Sequence, residues 1–170
     1  MAKEKKGYQQ GFSLLEVLIA LVILAMGMLG IARMLLITHK SNSSNYTRQQ
    51  AVQSAYNILD RIRANRSGAL SGNYGVSNLV SSGSPSTPAA PSTNCGSTIC
   101  SAAQLATYDT WYWLTSDLTQ LPNGCGSVST ALSGLNTIIT VTVQWDDSPT
   151  QQMLGTTNPN LVQFILQSEL

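Results

Sequence analysis

The chain has 170 residues, 43% of them apolar and only 10% charged, with a formal net charge of +1. That length and composition allow one domain with a packed core and argue against a multi-span membrane protein and a mainly electrostatic nucleic-acid binder. A single histidine and three cysteines leave little material for a metal cluster or for histidine-dependent catalysis, so no cofactor, metal or catalytic residue is expected.

The charges are unevenly spread. Lys3, Lys5 and Lys6 face Glu4 in the first ten residues, and Arg33, Lys40, Arg48, Arg61, Arg63 and Arg66 face only Asp60. Beyond Arg66 there is no Lys or Arg, while Asp109, Asp117, Asp146, Asp147 and Glu169 are acidic. A basic leader, an apolar run, a basic rod and a mildly acidic body suit assembly between unlike surfaces.

Residues 12–32 form an apolar run of 21 residues with one charge, Glu16. A helix of that length, at about 1.5 Å per residue, matches the roughly 30 Å hydrocarbon core of a bilayer. The three lysines before it stay in the cytoplasm under the positive-inside rule, which places the C-terminal body across the membrane. A Sec-type signal peptide has a shorter, uncharged apolar region and a small-residue cleavage site, and Ala25-Met26-Gly27 is a poor one. A plain single-span anchor has no use for a carboxylate that costs about 2.5–3.5 kcal/mol in the membrane, so Glu16 calls for a partner.

Around that residue the sequence reads Gly11-Phe12-Ser13-Leu14-Leu15-Glu16-Val17. With its lysine leader and apolar span, it resembles the class III signal of type IV prepilins. The resemblance implies that a prepilin peptidase cuts between Gly11 and Phe12 and methylates the new terminal Phe12. It also implies that Glu16 acts in assembly, pairing with the terminal amine of a neighbouring subunit.

The helical pattern runs on past the membrane. No proline occurs between Met1 and Ser84, and Ala51, Val52, Ala55, Leu59 and Ile62 form a helical stripe with Ile58 beside it. Arg48, Gln49, Gln53, Asn57 and Arg61 occupy the opposite face, and Asn65-Arg66-Ser67-Gly68 reads as a helix stop. One helix over residues 12–65 follows, roughly 80 Å long. Major pilins often carry a helix-breaking proline in this middle stretch, and none is present here. Arg33 is placed at the headgroups and His39 on a solvated face.

Residues 67–100 read as a linker-like excursion, with the Ser/Thr/Pro-rich stretch 81–98 an exposed loop. Cys95 and Cys100 close it and are the expected disulfide pair, with Cys125 as an alternative partner or a free thiol. Ser101 and Gln104 form a capping-box pattern ahead of a second helix. Its apolar positions (Leu105, Tyr108, Tyr112 and, one stripe over, Trp111, Leu114, Leu118, Leu121) run to a stop at Pro122-Asn123-Gly124. The aromatics Trp111, Tyr112 and Trp113 are read as core rather than as a ligand platform. Residues 137–145 alternate as a strand with Ile139, Val141, Val143 and Trp145 on one face, residues 161–167 alternate through Val162, Phe164 and Leu166, and residues 127–132 are a weaker strand. Asp146-Asp147-Ser148-Pro149 reads as a turn rather than a calcium site.

The order of these elements is similar to the type IV pilin fold: α+β, with a long N-terminal helix whose first half spans the membrane, packed on an antiparallel sheet head. Residues 11–30, the run Asp60-Arg61-Ile62-Arg63-Ala64-Asn65-Arg66, residues 100–109 and the strand Val141-Thr142-Val143-Gln144-Trp145-Asp146 resemble the PilV-type minor pilins, the type IV pilus modification proteins. The expected organisation is a leader over residues 1–11, a membrane or fibre-core helix over 12–33, an amphipathic helix over 34–66 and a periplasmic head over 67–170. The resemblance implies an inner-membrane, single-pass protein that later enters the pilus or its tip. It would work in an initiating complex with other minor pilins, the major pilin, an adhesin-like tip protein and membrane lipid. A pseudopilin of type II secretion shares the leader and rod and is the alternative. An enzyme on a tether lacks the motifs it needs, and neither nucleic acid nor a small-molecule substrate is expected.

Overall fold

The computed structural model describes residues 13–81, 84–133, 136–148 and 160–170. Helix α1 spans Leu14–Ala64, α2 Arg66–Leu70 and α3 Ala102–Tyr112. The strands are β1 (Val76–Ser77), β2 (Cys125–Ser133), β3 (Asn136–Asp146) and β4 (Leu161–Glu169). They form one antiparallel sheet in the order β1-β2-β3-β4. The chain divides into two compact units, Met1–Lys40 and Ser41–Leu170.

In the first unit the described residues belong to the first half of α1. Ser13 opens the helix, its hydroxyl accepting from the N–H of Leu15 (3.3 Å) and its carbonyl from that of Glu16 (3.0 Å). Apolar residues cover every face, and none of the membrane-length apolar window is buried. Leu14 is 83% exposed and Met34 73%. By length and composition this helix can cross a membrane. A helix that is apolar all round is stable only in lipid or inside an assembly.

The second unit is built around the other half of α1. Thr47, Ala51, Ser54, Ala55, Ile58, Leu59 and Ile62 are buried, the helical stripe expected from the sequence with Ser54 and Thr47 added and Val52 only half-buried. Ala51, Ala55, Ile58, Leu59 and Ile62 share one core with Ala106, Trp113, Leu114, Leu118 and Leu121 and with the inward row Ile139, Val141, Val143 and Trp145 of β3. Val162, Phe164 and Leu166 of β4 pack against its edge. Alternation from Ile139 to Trp145 aims the apolar side chains of β3 at the core and puts Thr140, Thr142 and Gln144 on the opposite face, where Thr142 and Gln144 are buried as well.

Three parts of the chain depart from the sequence expectation. Asn65 does not end the helical path at a C-terminal glycine; it starts α2, its side chain accepting from Gly68 N–H (3.3 Å). Residues 67–80 are not a bare linker, since Ala69 and Tyr74 are buried and Val76–Ser77 pairs with β2. Gly72, at φ +74°, permits the tight reversal that returns the chain to the core there. The second helix also breaks its regular pattern, passing into a π-helical turn (Trp113–Asp117) and a 3-10 turn (Leu118–Gln120). That adjustment accompanies full burial of Trp113, while Trp111 and Tyr112 stay half-buried. Gly126 leaves room for that ring, because a Cβ there would lie 2.4 Å from Trp113 Cη2.

Candidate functional site

Within the first unit, Glu16 is the acidic residue of the first turn of α1. Among the described residues its carboxylate has no hydrogen bond or ion pair, and the surrounding side chains Val17, Ala20, Leu21 and Leu24 are apolar. A charge so placed is unfavourable in hydrocarbon until a cation meets it. Gly11 and Phe12, where scission and methylation are expected, lie outside the described residues, as do the rest of the leader and Pro149 of the turn.

The second unit holds its helices together by a polar cluster. Arg61 Nη1 donates to Asp109 Oδ1 at 3.1 Å, and Tyr74 donates its hydroxyl to Asp109 Oδ2 at 2.9 Å. Asn65 Nδ2 donates to Tyr74 Oη (3.1 Å) and to the Ala102 carbonyl (2.7 Å). Arg61 also donates through Nε to Asn57 Oδ1 at 2.8 Å and lies 4.9 Å from the Tyr112 ring centre. Burial pushes the Tyr74 phenol well above its ordinary range, with Asp109 adding to the rise and the Asn65 hydrogen bond opposing it. Both oxygens of the buried Asp109 are thus satisfied, which makes the cluster a clamp between α1, the turn after α2 and α3. Arg61, Asn65, Ala102 and Asp109 come from the two internal stretches that resemble minor pilins, 60–66 and 100–109, and Tyr74 is the member that sequence reasoning missed. A lone Tyr among glycines, serines and asparagines gives no periodic signal.

Nearby, Trp113 Nε1 donates to Ser54 Oγ (2.8 Å) and to the Ser54 carbonyl (3.0 Å), tying the π-helical turn after α3 to α1. The capping box forms in full, with Ser101 and Gln104 each receiving the other's backbone N–H on its side chain. Cys95 and Cys100 are disulfide-bonded just ahead of it, and Cys125 is a buried free thiol. Cys125 donates to Gln144 Oε1 (3.0 Å), and burial raises its pKa. At the end of β3 the Asp146 carboxylate accepts from Ser148 and Asn160. Burial disfavours its charge, but those bonds and one from Asn123 outweigh it and hold the carboxyl below its usual range. Asp147 Oδ2 accepts from Ser44 Oγ at 3.0 Å. This is a hydrogen-bonded turn. Among the described residues no three His, Cys, Asp or Glu side chains gather as a metal site.

Residues 6–32 match the prokaryotic N-terminal methylation motif, and residues 37–111 match the family described as type IV pilin Tt1218. Neither a curated protein nor a solved structure matches the chain. The second match ends just past Asp109 and so contains the whole Arg61, Asn65, Tyr74 and Asp109 clamp, while the first contains Glu16 and the apolar part of α1 up to Ala32. Type IV pilins are structural subunits rather than enzymes, and the methylation motif carries with it processing by a prepilin peptidase. A long N-terminal apolar helix, a helical clamp and a four-stranded antiparallel sheet complete the set of features, and this α+β architecture fits the type IV pilin fold.

Proposed function

We propose that the protein is a minor pilin of the PilV type, which joins an initiating or tip complex with other minor pilins and primes pilus assembly. Prepilin peptidase cuts between Gly11 and Phe12 and methylates Phe12. The chain then waits in the inner membrane as a single-pass protein, with Lys3, Lys5 and Lys6 removed from its cytoplasmic end and the head in the periplasm. On assembly, Glu16 neutralises the terminal amine of a neighbouring subunit as the apolar helix leaves lipid for the fibre. Neighbours are other minor pilins, the major pilin and an adhesin-like tip protein.

The observation that supports this reading is the clamp. The two internal stretches that resemble minor pilins meet in space through Arg61 with Asp109 and Asn65 with Ala102. A crosslinked pull-down of the tagged mature chain from detergent-solubilised membranes, read by mass spectrometry, tests it. Other minor pilins and a tip protein are expected; secretion pseudopilins with exported hydrolases would assign the chain to type II secretion instead.

A further inference from the structure

Among the described residues two buried side-chain polar atoms lack a hydrogen-bond partner, Trp145 Nε1 and Asp117 Oδ2. The second belongs to the half-buried Asp117, and a carboxylate oxygen buried without a partner is unfavourable in a way that a docking cation relieves. Asp117 ends the π-helical turn and lines an open cleft of about 150 Å³ with Gln50, Gln53, Ser54, Asn57 and Gln120. Every lining side chain is polar, and none is cationic. Some of its capacity is already engaged: Ser54 Oγ holds the Trp113 indole, Asn57 Oδ1 holds Arg61, and Gln50 donates to Tyr46 at 3.0 Å. Gln53 and Gln120 have no such engagement among the described residues. Arg61 acts on Asp117 only through space, its guanidinium being bound to Asp109 and Asn57. Burial raises the Asp117 carboxyl above its ordinary value, with Arg61 opposing.

We propose that this cleft seats the ammonium or guanidinium tip of a basic side chain from a different pilin subunit. The carboxyl torsion is broad and two-fold, so either oxygen can turn to the incoming cation. Amide oxygens of Gln50, Gln53 and Gln120 are placed to accept its remaining protons. One carboxylate is a poor start for calcium, which takes six to eight oxygens, and among the described residues no three metal-ligating side chains gather here. The cleft admits a side-chain tip and not a folded ligand. Residues 67–170 carry no Lys or Arg, so in a second copy every cation lies at or before Arg66; the choice of an unlike subunit follows from the proposed complex with other pilins. The proposal rests on the pilin reading and names the chemistry by which this subunit holds an unlike neighbour.

The test uses the full chain in detergent micelles, with N-acetyl-lysine amide as probe and N-acetyl-norleucine amide as its neutral counterpart. The side-chain amide signals of Gln50, Gln53, Asn57 and Gln120 should move with the lysine probe and stay still with norleucine. Asp117→Asn should weaken binding by about tenfold or more, since a charge-assisted bond is lost. Gln53→Lys, at an exposed position, should block the probe by filling the cleft from within. Equal shifts with norleucine, or unchanged affinity in Asp117→Asn, would overturn the proposal. In cells, a photocrosslinker at Gln120 should capture another pilin at a Lys- or Arg-bearing peptide and lose it in Asp117→Asn; an adduct with a second copy would overturn the choice of partner. If lysine amide binds but the pull-down returns secretion pseudopilins, the pilus reading fails and the cleft stands. If minor pilins are recovered and the amides do not move, the cleft fails and the pilus reading stands.

Discussion

The two halves of α1 are one helix by hydrogen bonding and two by chemistry. From Leu14 to Lys40 no residue is buried; from Thr47 to Ile62 the buried positions follow a single helical stripe. The first half has apolar residues on all sides, so it draws its stability from lipid or neighbours. The second half has one apolar face and draws it from its own head. The proposed passage from membrane to fibre would use this division: an apolar surface at one end and a packed core at the other.

The largest expected effect breaks that contrast directly. Trp113→Ala removes a fully buried ring with its two bonds to Ser54 and should destabilise the head by about 3–5 kcal/mol in denaturant unfolding. Leu24→Ala, more than half exposed, should leave the same transition within about 0.5 kcal/mol. Glu16→Val should do the reverse of Trp113→Ala, leaving processing and head stability intact while removing most incorporation into fibres, scored by immunoblot of sheared pili. Unchanged incorporation would make the Glu16 pairing dispensable.

Smaller effects sharpen the comparison inside the head. Tyr74→Phe deletes a hydrogen bond to a buried carboxylate and should cost about 1.5–3 kcal/mol, with strong coupling to Asp109→Asn in a double-mutant cycle. Reducing the Cys95–Cys100 disulfide should cost about 2 kcal/mol at most, because the loop it closes is short. The pH dependence has two opposed contributions. Asp146 has a lowered folded pKa, so its stabilisation is present above the unfolded value of about 3.9 and is lost as pH falls through the folded one. Asp117 has a raised folded pKa, so it removes stability as pH climbs from about 3.9 through the folded value. Asp146→Asn should flatten the acid limb of the stability curve, and Asp117→Asn should flatten the other, in melting curves over that range.

Local pattern was enough for much of this molecule. The apolar run with one carboxylate, the helical stripe from Ala51 to Ile62, the capping box at Ser101 and Gln104, and the alternation in β3 and β4 all read directly from residue order. Each is a short-range rule, a period of 3.6 or 2 or a fixed offset between cap and backbone. The disulfide followed from two cysteines close in sequence, although only the structure showed Cys125 buried under Gln144 as a free thiol.

The amino-acid order by itself determined α1, α3 and the three long strands, their apolar faces and the place of the membrane-length segment, but not α2, β1 or the π-helical turn. Tertiary structure alone decided how the head is locked and where it is left open. Arg61 finds Asp109 48 residues away and Tyr74 reaches it across 35, from a stretch with no periodicity. The Trp113 ring needs Ser54 and the space above Gly126, and α3 gives up its regular geometry there to bury it. The same turn leaves Asp117 without a partner beside the amides of α1. Hydrogen-bond satisfaction in a core is settled by which distant groups the packed backbone brings within about 3 Å, and neither propensity nor spacing along the chain encodes that choice locally.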